Sequence, residues 1–171
     1  MARYRLVSER SQVWTEARST LHPIHVETAG LEGYLEADVD GEEVRLSVPT
    51  RVELDVALLK SNNALLDGEL RRRLEARRFP RITGELLEAK PAGNGRSVLR
   101  GELSLHGVKR ELDVEVVARA TPEGTLQVDG EKVIDMRDFG LDPPKILFLK
   151  VDPRVRIRAR LVARVEQIPA G

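Results

Sequence analysis

Apolar and polar residues alternate along most of this chain, as they do in β-strands that bury one face. The last segment shows the pattern most clearly: odd positions from Val155 to Val165 are apolar, and most even positions from Arg154 to Arg164 are arginine. Successive side chains of a strand point to opposite faces, so such a segment has one apolar and one solvated face. Similar patterns in most of the chain predict further strands.

Residues 101–117 predict a β-hairpin. Leu103 and Leu105 alternate with polar neighbours before a His-Gly pair, and the alternation resumes at Leu112 and Val114. A turn of this kind between two alternating runs is typical of antiparallel strands.

One segment, residues 62–77, has a helical period instead. Leu66, Leu70 and Leu74 follow one another at intervals of four, which places them on one face of a helix. A serine or asparagine at 61–63 can cap its start, and a Phe-Pro pair soon after the segment stops it.

Many short strands and one helix predict an all-β fold, either a sandwich or a barrel. A barrel has no free edges and can hold a small ligand inside. The length of 171 residues fits a single domain with its own core, covering residues 1–171.

Composition excludes several classes of protein. The content of 41% hydrophobic and 33% charged residues is typical of a globular chain, and the 28 basic and 28 acidic residues cancel. Without cysteine there is no disulfide and no thiolate site. The first residues lack the apolar core of a signal peptide, and no apolar run is long enough to span a bilayer, so we expect a cytoplasmic protein.

Candidate chemistry is sparse. His22 and His25 have a spacing that metal ligands can have, but no third ligand flanks them at a diagnostic distance. His106 lies at the predicted hairpin turn, where it shapes the backbone. The Asp-Phe-Gly at 138–140 lacks the other motifs of a kinase. We therefore expect no catalytic residues, no metal and no cofactor.

The arginines of the last strand raise the alternative of nucleic-acid binding. Acidic residues Glu111, Asp113 and Glu115 occupy the comparable face of another predicted strand and can neutralise them. The arginine face also lacks the interleaved aromatic residues that single-strand binders use for stacking. A solvated outer wall without nucleic acid is the expectation.

Several short motifs, taken in order, resemble the YceI-like family. They are the Tyr-Arg-Leu at 4–6, the Gly-Leu-Glu-Gly at 30–33, the Phe-Pro-x-Ile at 79–82, the Gly-x-Leu-x-Leu-His-Gly-Val at 101–108 and the Arg-Asp-Phe-Gly at 137–140. Each motif alone is weak, whereas their common order over residues 4–166 is specific.

The resemblance implies a lipocalin-like fold: an extended antiparallel eight-stranded barrel with the helix near 62–77 inserted. In that family the apolar bore takes a polyisoprenoid chain, such as a quinone tail. We therefore expect a non-catalytic protein that carries or sequesters a polyisoprenoid, quinone-like or similar long hydrophobic lipid.

The alternating pattern and the family motifs together nominate a hydrophobic pocket. Its expected lining residues are Trp14, Leu66, Leu70, Leu74, Phe79, Ile82, Leu103, Leu105, Leu112, Val114, Phe139, Ile157 and Leu161. Arg137 is a candidate contact for the ligand head group.

Two other functions stay open from the sequence. The first is an enzyme acting on a hydrophobic substrate in the same cavity, which requires an inward carboxylate or histidine. The second is a ligand-free barrel that docks a partner and has a filled bore. Assembly into a homodimer is left open as well.

Overall fold

A computed structural model describes residues 1–143, 145–146 and 149–166 of the chain. It contains strands β1 (Ala2–Leu6), β2 (Gln12–Ser19), β3 (Ile24–Thr28), β4 (Glu32–Asp40), β5 (Glu43–Asp55), β6 (Arg81–Gly93), β7 (Arg96–Leu105), β8 (Val108–Ala120), β9 (Thr125–Asp135), β10 (Lys145–Ile146) and β11 (Leu149–Val165). Short 3-10 turns span Ser8–Arg10, Val56–Leu58 and Met136–Phe139. No helix in this part of the chain has the length and apolar character that crossing a membrane requires.

Eight of the strands form a closed antiparallel barrel. Neighbours follow the order β1, β4, β5, β6, β7, β8, β9 and β11, and β11 returns to β1 through the pairs Tyr4↔Val165 and Leu6↔Ala163. The all-β class and the eight-stranded lipocalin-like barrel predicted from the sequence are confirmed.

Strand β11 is long enough to pair with two different strands along one of its edges. Its end near Val165 pairs with β1, and its middle pairs with β2, as in Val155↔Ala17. The buried hydroxyl of Ser11 joins the two parts, donating to the carbonyl of Val162 (3.2 Å) and accepting from its N–H (3.0 Å). Strands β1 and β2 therefore act as one interrupted strand.

Strand β3 extends the wall beyond β2. It pairs with β2 along the register Val13↔Thr28 to Ala17↔Ile24 and makes an isolated bridge from Glu27 to Lys60. This end of the barrel is therefore wider than the end closed by β1.

Helix α1 (Ala64–Arg73) covers the wider end. The side chain of Asn63 caps it by accepting from the backbone N–H groups of Leu65 and Leu66, at 3.0 and 3.2 Å. The predicted extent of 62–77 was too long at both ends. The regular helix gives way at Leu74 because Glu75 adopts a left-handed backbone conformation (φ 50°).

The interior divides into two apolar clusters. One cluster packs around Leu31, Leu35 and Leu126 at the narrow end, which β1 closes. The other packs around Phe139 and Val56 at the wide end, under helix α1. All five side chains are almost completely buried.

Two arginines on the outer face of β11 pair with acidic residues of the neighbouring strand β9. Arg156 pairs with Glu131 at 3.1 Å and Arg160 with Asp129 at 2.8 Å, while the guanidinium of Arg158 lies 4.8 Å from the centre of the Trp14 ring. The expected partners on β8 were wrong, because β9 and not β8 is the neighbour of β11.

Candidate functional site

A lower cavity of about 120 Å³ lies between helix α1 and the wide end of the barrel. Its lining is aliphatic apart from the side chain of Thr15. The lining residues are Thr15, Ala17, Ile24, Val26, Leu59, Leu66, Leu70, Leu74, Ile82, Leu105, Ile134, Met136, Leu141, Val151, Val155 and Ile157.

An upper cavity of about 200 Å³ lies further along the bore, among strands β4 to β9 and β11. Its apolar lining consists of Leu35, Leu46, Val52, Gly84, Leu86, Leu99, Gly101, Leu103, Leu112, Val114, Val128 and Leu161. Thr50, Glu85 and Glu102 also border it. The carboxylate of Glu85 pairs with Arg51, and that of Glu102 lies 3.9 Å from the amine of Lys109.

Gly84 contributes directly to the upper cavity. It is paired with Val52 and Leu103, which line the same cavity, so a side chain at this position would face the bore. A Cβ built on Gly84 meets no atom within 4 Å. The missing side chain therefore leaves open space that a larger residue would fill.

Most residues nominated from the sequence line these two cavities. Those in the lower cavity are Leu66, Leu70, Leu74, Ile82, Leu105 and Ile157; those in the upper cavity are Leu103, Leu112, Val114 and Leu161. Their positions follow from period-2 alternation on the strands and the four-residue spacing on α1. Ligand contact by these residues stays a prediction.

Trp14 does not face the bore, so its placement in the pocket was wrong. Its neighbour Thr15 lines the lower cavity, and alternation along β2 turns Trp14 to the outer face. There its ring lies under the guanidinium of Arg158, its register partner on β11.

Phe79 also lies outside both cavities. Its ring is half-buried and meets the ring of His106 edge to face, with centroids 5.5 Å apart. The guanidinium of Arg78 lies 5.0 Å from the same ring. Phe79 follows α1 at the turn back to the barrel, so it covers the tip of the β7–β8 hairpin and does not line the pocket.

Phe139 is only 1% exposed and packs in the lower apolar cluster, but it does not border the cavity. The 3-10 turn Met136–Phe139 places its neighbours Met136 and Leu141 at the cavity wall instead. Phe139 therefore packs against residues of the cavity wall on the side away from the cavity.

Arg137 lies at the rim in an ion pair with Asp135, at 2.7 Å. The guanidinium and the backbone N–H of Arg137 both donate to the Asp135 carboxylate, and together they lower the pKa of Asp135 to about 2. Contact of Arg137 with a ligand head group stays a prediction.

Sequence reasoning missed the lower-cavity residues of β3, Ile24 and Val26. This strand is five residues long and follows a turn, so its alternation is too short to stand out. The cavity residues Ala17 and Val155 were missed because β2 and β11 meet there through long-range pairing.

The polar residues that border the cavities are Thr15 in the lower one and Thr50, Glu85 and Glu102 in the upper one. In the described part of the chain, no cluster of histidine and carboxylate side chains could hold a metal ion. His106 lies at the hairpin tip, with Nε2 2.6 Å from the Glu75 carboxylate and Nδ1 3.1 Å from the Phe139 carbonyl. Apolar residues make up most of the lining of both cavities.

Comparison with known proteins connects this geometry to a family. The sequence pattern of the YceI-like domain matches residues 4–163. No curated protein is significantly similar to this chain in sequence.

Solved structures show the same fold at low sequence identity. BcnA of Burkholderia cenocepacia is 17% identical, with a TM-score of 0.76 and coverage of 92% of this chain and 99% of that chain. A polyisoprenoid binding domain from Saccharophagus degradans, implicated in plant cell wall breakdown, is 14% identical, with a TM-score of 0.79 and coverage of 97% and 100%. The YceI protein of Campylobacter jejuni is 15% identical, with a TM-score of 0.63 and coverage of 78% and 81%.

Proposed function

This chain belongs to the YceI-like family, and from that premise we propose that it binds a polyisoprenoid or similar long hydrophobic lipid inside the barrel, without catalysis. The observation that carries the proposal is the pair of aliphatic cavities along one bore. The polyisoprenoid-binding domain of Saccharophagus degradans, which shares the fold, supports the same class of ligand.

The size of the cavities defines how a ligand would be held. An apolar cavity of roughly 150 Å³ in a protein core stays dry and takes up a molecule such as benzene. With about 120 and about 200 Å³, each cavity is therefore suited to a short segment of an apolar chain. A long ligand would occupy both, which together reach the lower end of the ~300–1,000 Å³ typical of ligand sites.

The driving force would be hydrophobic. Each methylene group removed from water contributes about 0.8 kcal/mol. Most residues that line the two cavities are apolar. Affinity should therefore increase with the length of the prenyl chain until both cavities are filled. Carrying or sequestering such a chain shields it from water.

The enzyme alternative lacks support at this site. The glutamates that border the upper cavity have cationic partners, Arg51 for Glu85 and Lys109 for Glu102. A general acid or base would need to reach the reacting atoms inside the cavity. Binding without chemistry is the function that the lining favours.

A cavity-filling substitution tests the proposal. Gly84→Leu places an aliphatic side chain in the upper cavity, where its Cβ meets no obstacle. We expect this variant to stay folded and to lose most binding of a fluorescent prenyl analogue, measured by titration after delipidation. Gly84→Ala, which fills little of the volume, should retain most of the binding.

The control is a side chain of the same size added away from the bore. Ser104→Leu lies on β7 beside Leu103, on the opposite face of the strand. Its binding should match the wild type. Full binding by the folded Gly84→Leu variant would contradict an internal site, and native mass spectrometry of the purified wild type would then identify any lipid held elsewhere.

A further inference from the structure

A side opening interrupts the barrel wall between β8 and β9. The ladder between them runs from Ala120↔Leu126 only as far as Val116↔Gly130. Strand β8 nevertheless begins at Val108, and β9 continues to Asp135. Within the described chain, residues 108–115 and 131–135 therefore form no ladder with each other. At the far end, Nε of Arg110 donates a hydrogen bond to the carbonyl of Asp138 at 2.9 Å.

Lys132 occupies this opening on the bore side of β9. Its register partner on β11 is Ile157, which lines the lower cavity, and directly paired residues share one face of a sheet. Its chain neighbours face outward: Glu131 pairs with Arg156, and Val133 is 52% exposed. Because side chains alternate along a strand, the Cβ of Lys132 therefore points towards the bore.

The side chain of Lys132 is nevertheless exposed to solvent. A lysine can do this by laying its methylenes along an apolar wall while its amine reaches water. No hydrogen bond or ion pair to the amine is found among the described residues, whereas most arginines on the outer wall have carboxylate partners. Lys132 is thus an unneutralised cation at the edge of an apolar chamber.

Residues that line the lower cavity flank Lys132. Its register partner on β11, Ile157, is one of them. Ile134, two residues along β9, lines the lower cavity. Arg110 lies on β8 at the same opening. It pairs with Leu103, which lines the upper cavity, so the side chain of Arg110 starts on the bore side of the sheet. A chain lying in the lower cavity could therefore present its end to Lys132.

We propose that the opening between β8 and β9 holds an anionic head group, with Lys132 as its principal contact, while the apolar chain lies in the cavities. This rests on the proposed function and narrows the ligand to an anionic amphiphile, such as a prenyl phosphate. An ammonium group that donates to a phosphate oxygen forms a charge-assisted hydrogen bond, which is stronger than a neutral one. Arg137 is less suited because the Asp135 carboxylate already holds its guanidinium.

Titration calorimetry with farnesyl phosphate, farnesol and inorganic phosphate tests the assignment. The wild type should bind farnesyl phosphate more tightly than farnesol. Lys132→Met keeps the methylenes and removes the charge, so its affinity for farnesyl phosphate should be roughly ten-fold lower than that of the wild type. Its affinity for farnesol should stay the same, and Lys132→Arg should retain most of the preference for the phosphate.

Lys90→Met is the matched control. Lys90 is an exposed lysine of β6 whose register partner Val98 is also exposed, so this variant loses the same charge away from the opening and from both cavities. It should bind both prenyl ligands like the wild type.

Each remaining outcome has a definite meaning. An unchanged preference for farnesyl phosphate in Lys132→Met, or equal losses in both methionine variants, would overturn the role of Lys132. Inorganic phosphate binding as tightly as farnesyl phosphate would overturn the amphiphile and leave a plain phosphate site. Equal binding of farnesol and farnesyl phosphate to the wild type would overturn the head-group site alone, while no binding of either would overturn the proposed function as well.

Discussion

The ring of Phe79 lies directly against the backbone of Gly107 at the tip of the β7–β8 hairpin. A Cβ added to Gly107 would come within 2.6 Å of Cε1 of Phe79, and Gly107 has a left-handed φ of +72°. The segment that follows helix α1 therefore clamps the hairpin through a contact that only glycine permits.

Gly107→Ala should destabilise the protein through both effects. A left-handed conformation costs a residue with a Cβ about 1–3 kcal/mol, and the contact with Phe79 adds to it. Gly124→Ala is the control, since Gly124 has a φ of +79° but no atom near its Cβ position. Chemical unfolding should show the larger loss for Gly107→Ala. Equal losses would mean that the ring moves aside freely.

Ser11→Ala should weaken the junction between β1 and β2. The hydroxyl of Ser11, 1% exposed, bonds both the N–H and the carbonyl of Val162. The alanine variant leaves the N–H of Val162 buried without this partner, whereas the carbonyl keeps its bond from the N–H of Val7 at 2.7 Å. A buried group left unsatisfied costs about 1–3 kcal/mol. Denaturant midpoints measure the change. Ser104→Ala, on the outer face of β7, should stay close to the wild type.

Leu161→Asp should abolish uptake of a prenyl analogue, because it places a carboxylate at the wall of the upper cavity. Arg158→Asp introduces the same group on the opposite face of β11 and should leave uptake intact. Displacement of a fluorescent analogue compares the two. Selective loss in Arg158→Asp would instead identify the outer arginine face as the binding surface.

The Asp135–Arg137 pair should contribute to stability in a defined pH range. The pKa of Asp135 falls from 3.8 to about 2 when folded, because Arg137 donates to its carboxylate. A carboxyl with a lowered pKa stabilises the fold fully above pH 3.8, and that contribution disappears as the pH falls towards 2. Asp135→Asn should therefore be less stable than the wild type at neutral pH and equal to it near pH 2. Thermal unfolding across this range would show the difference, and a constant difference at every pH would contradict it.

Local patterns predicted those parts of the site that depend on local geometry. Leu103, Leu112 and Leu161 face the bore because side-chain direction along a strand follows from period-2 alternation alone. The prediction for Trp14 was wrong because Thr15 and Ala17 face the bore, and alternation along β2 therefore turns Trp14 to the outer face.

Features that depend on distant partners could not be read from the chain. The division of β11 between β1 and β2 requires pairings across about 150 residues, as the Ser11–Val162 contact shows. The opening beside Lys132 exists because a ladder stops at Gly130, and nothing in the local sequence of β9 signals that β8 has turned away.

The seam between β1 and β11 also determines when the binding chamber can exist. Tyr4 meets Val165 there, so the two ends of the barrel sequence must come together before the wall is complete. Pairing over such a separation is slow compared with hairpin formation, because loop-closure entropy must be overcome first. On the ribosome, chains that have not yet exposed β11 lack the last wall of the bore and leave its aliphatic lining open to water. A lipid of the proposed kind would therefore be loaded only after synthesis of the barrel is complete. During synthesis the apolar strands would depend on early hairpins or chaperones for protection.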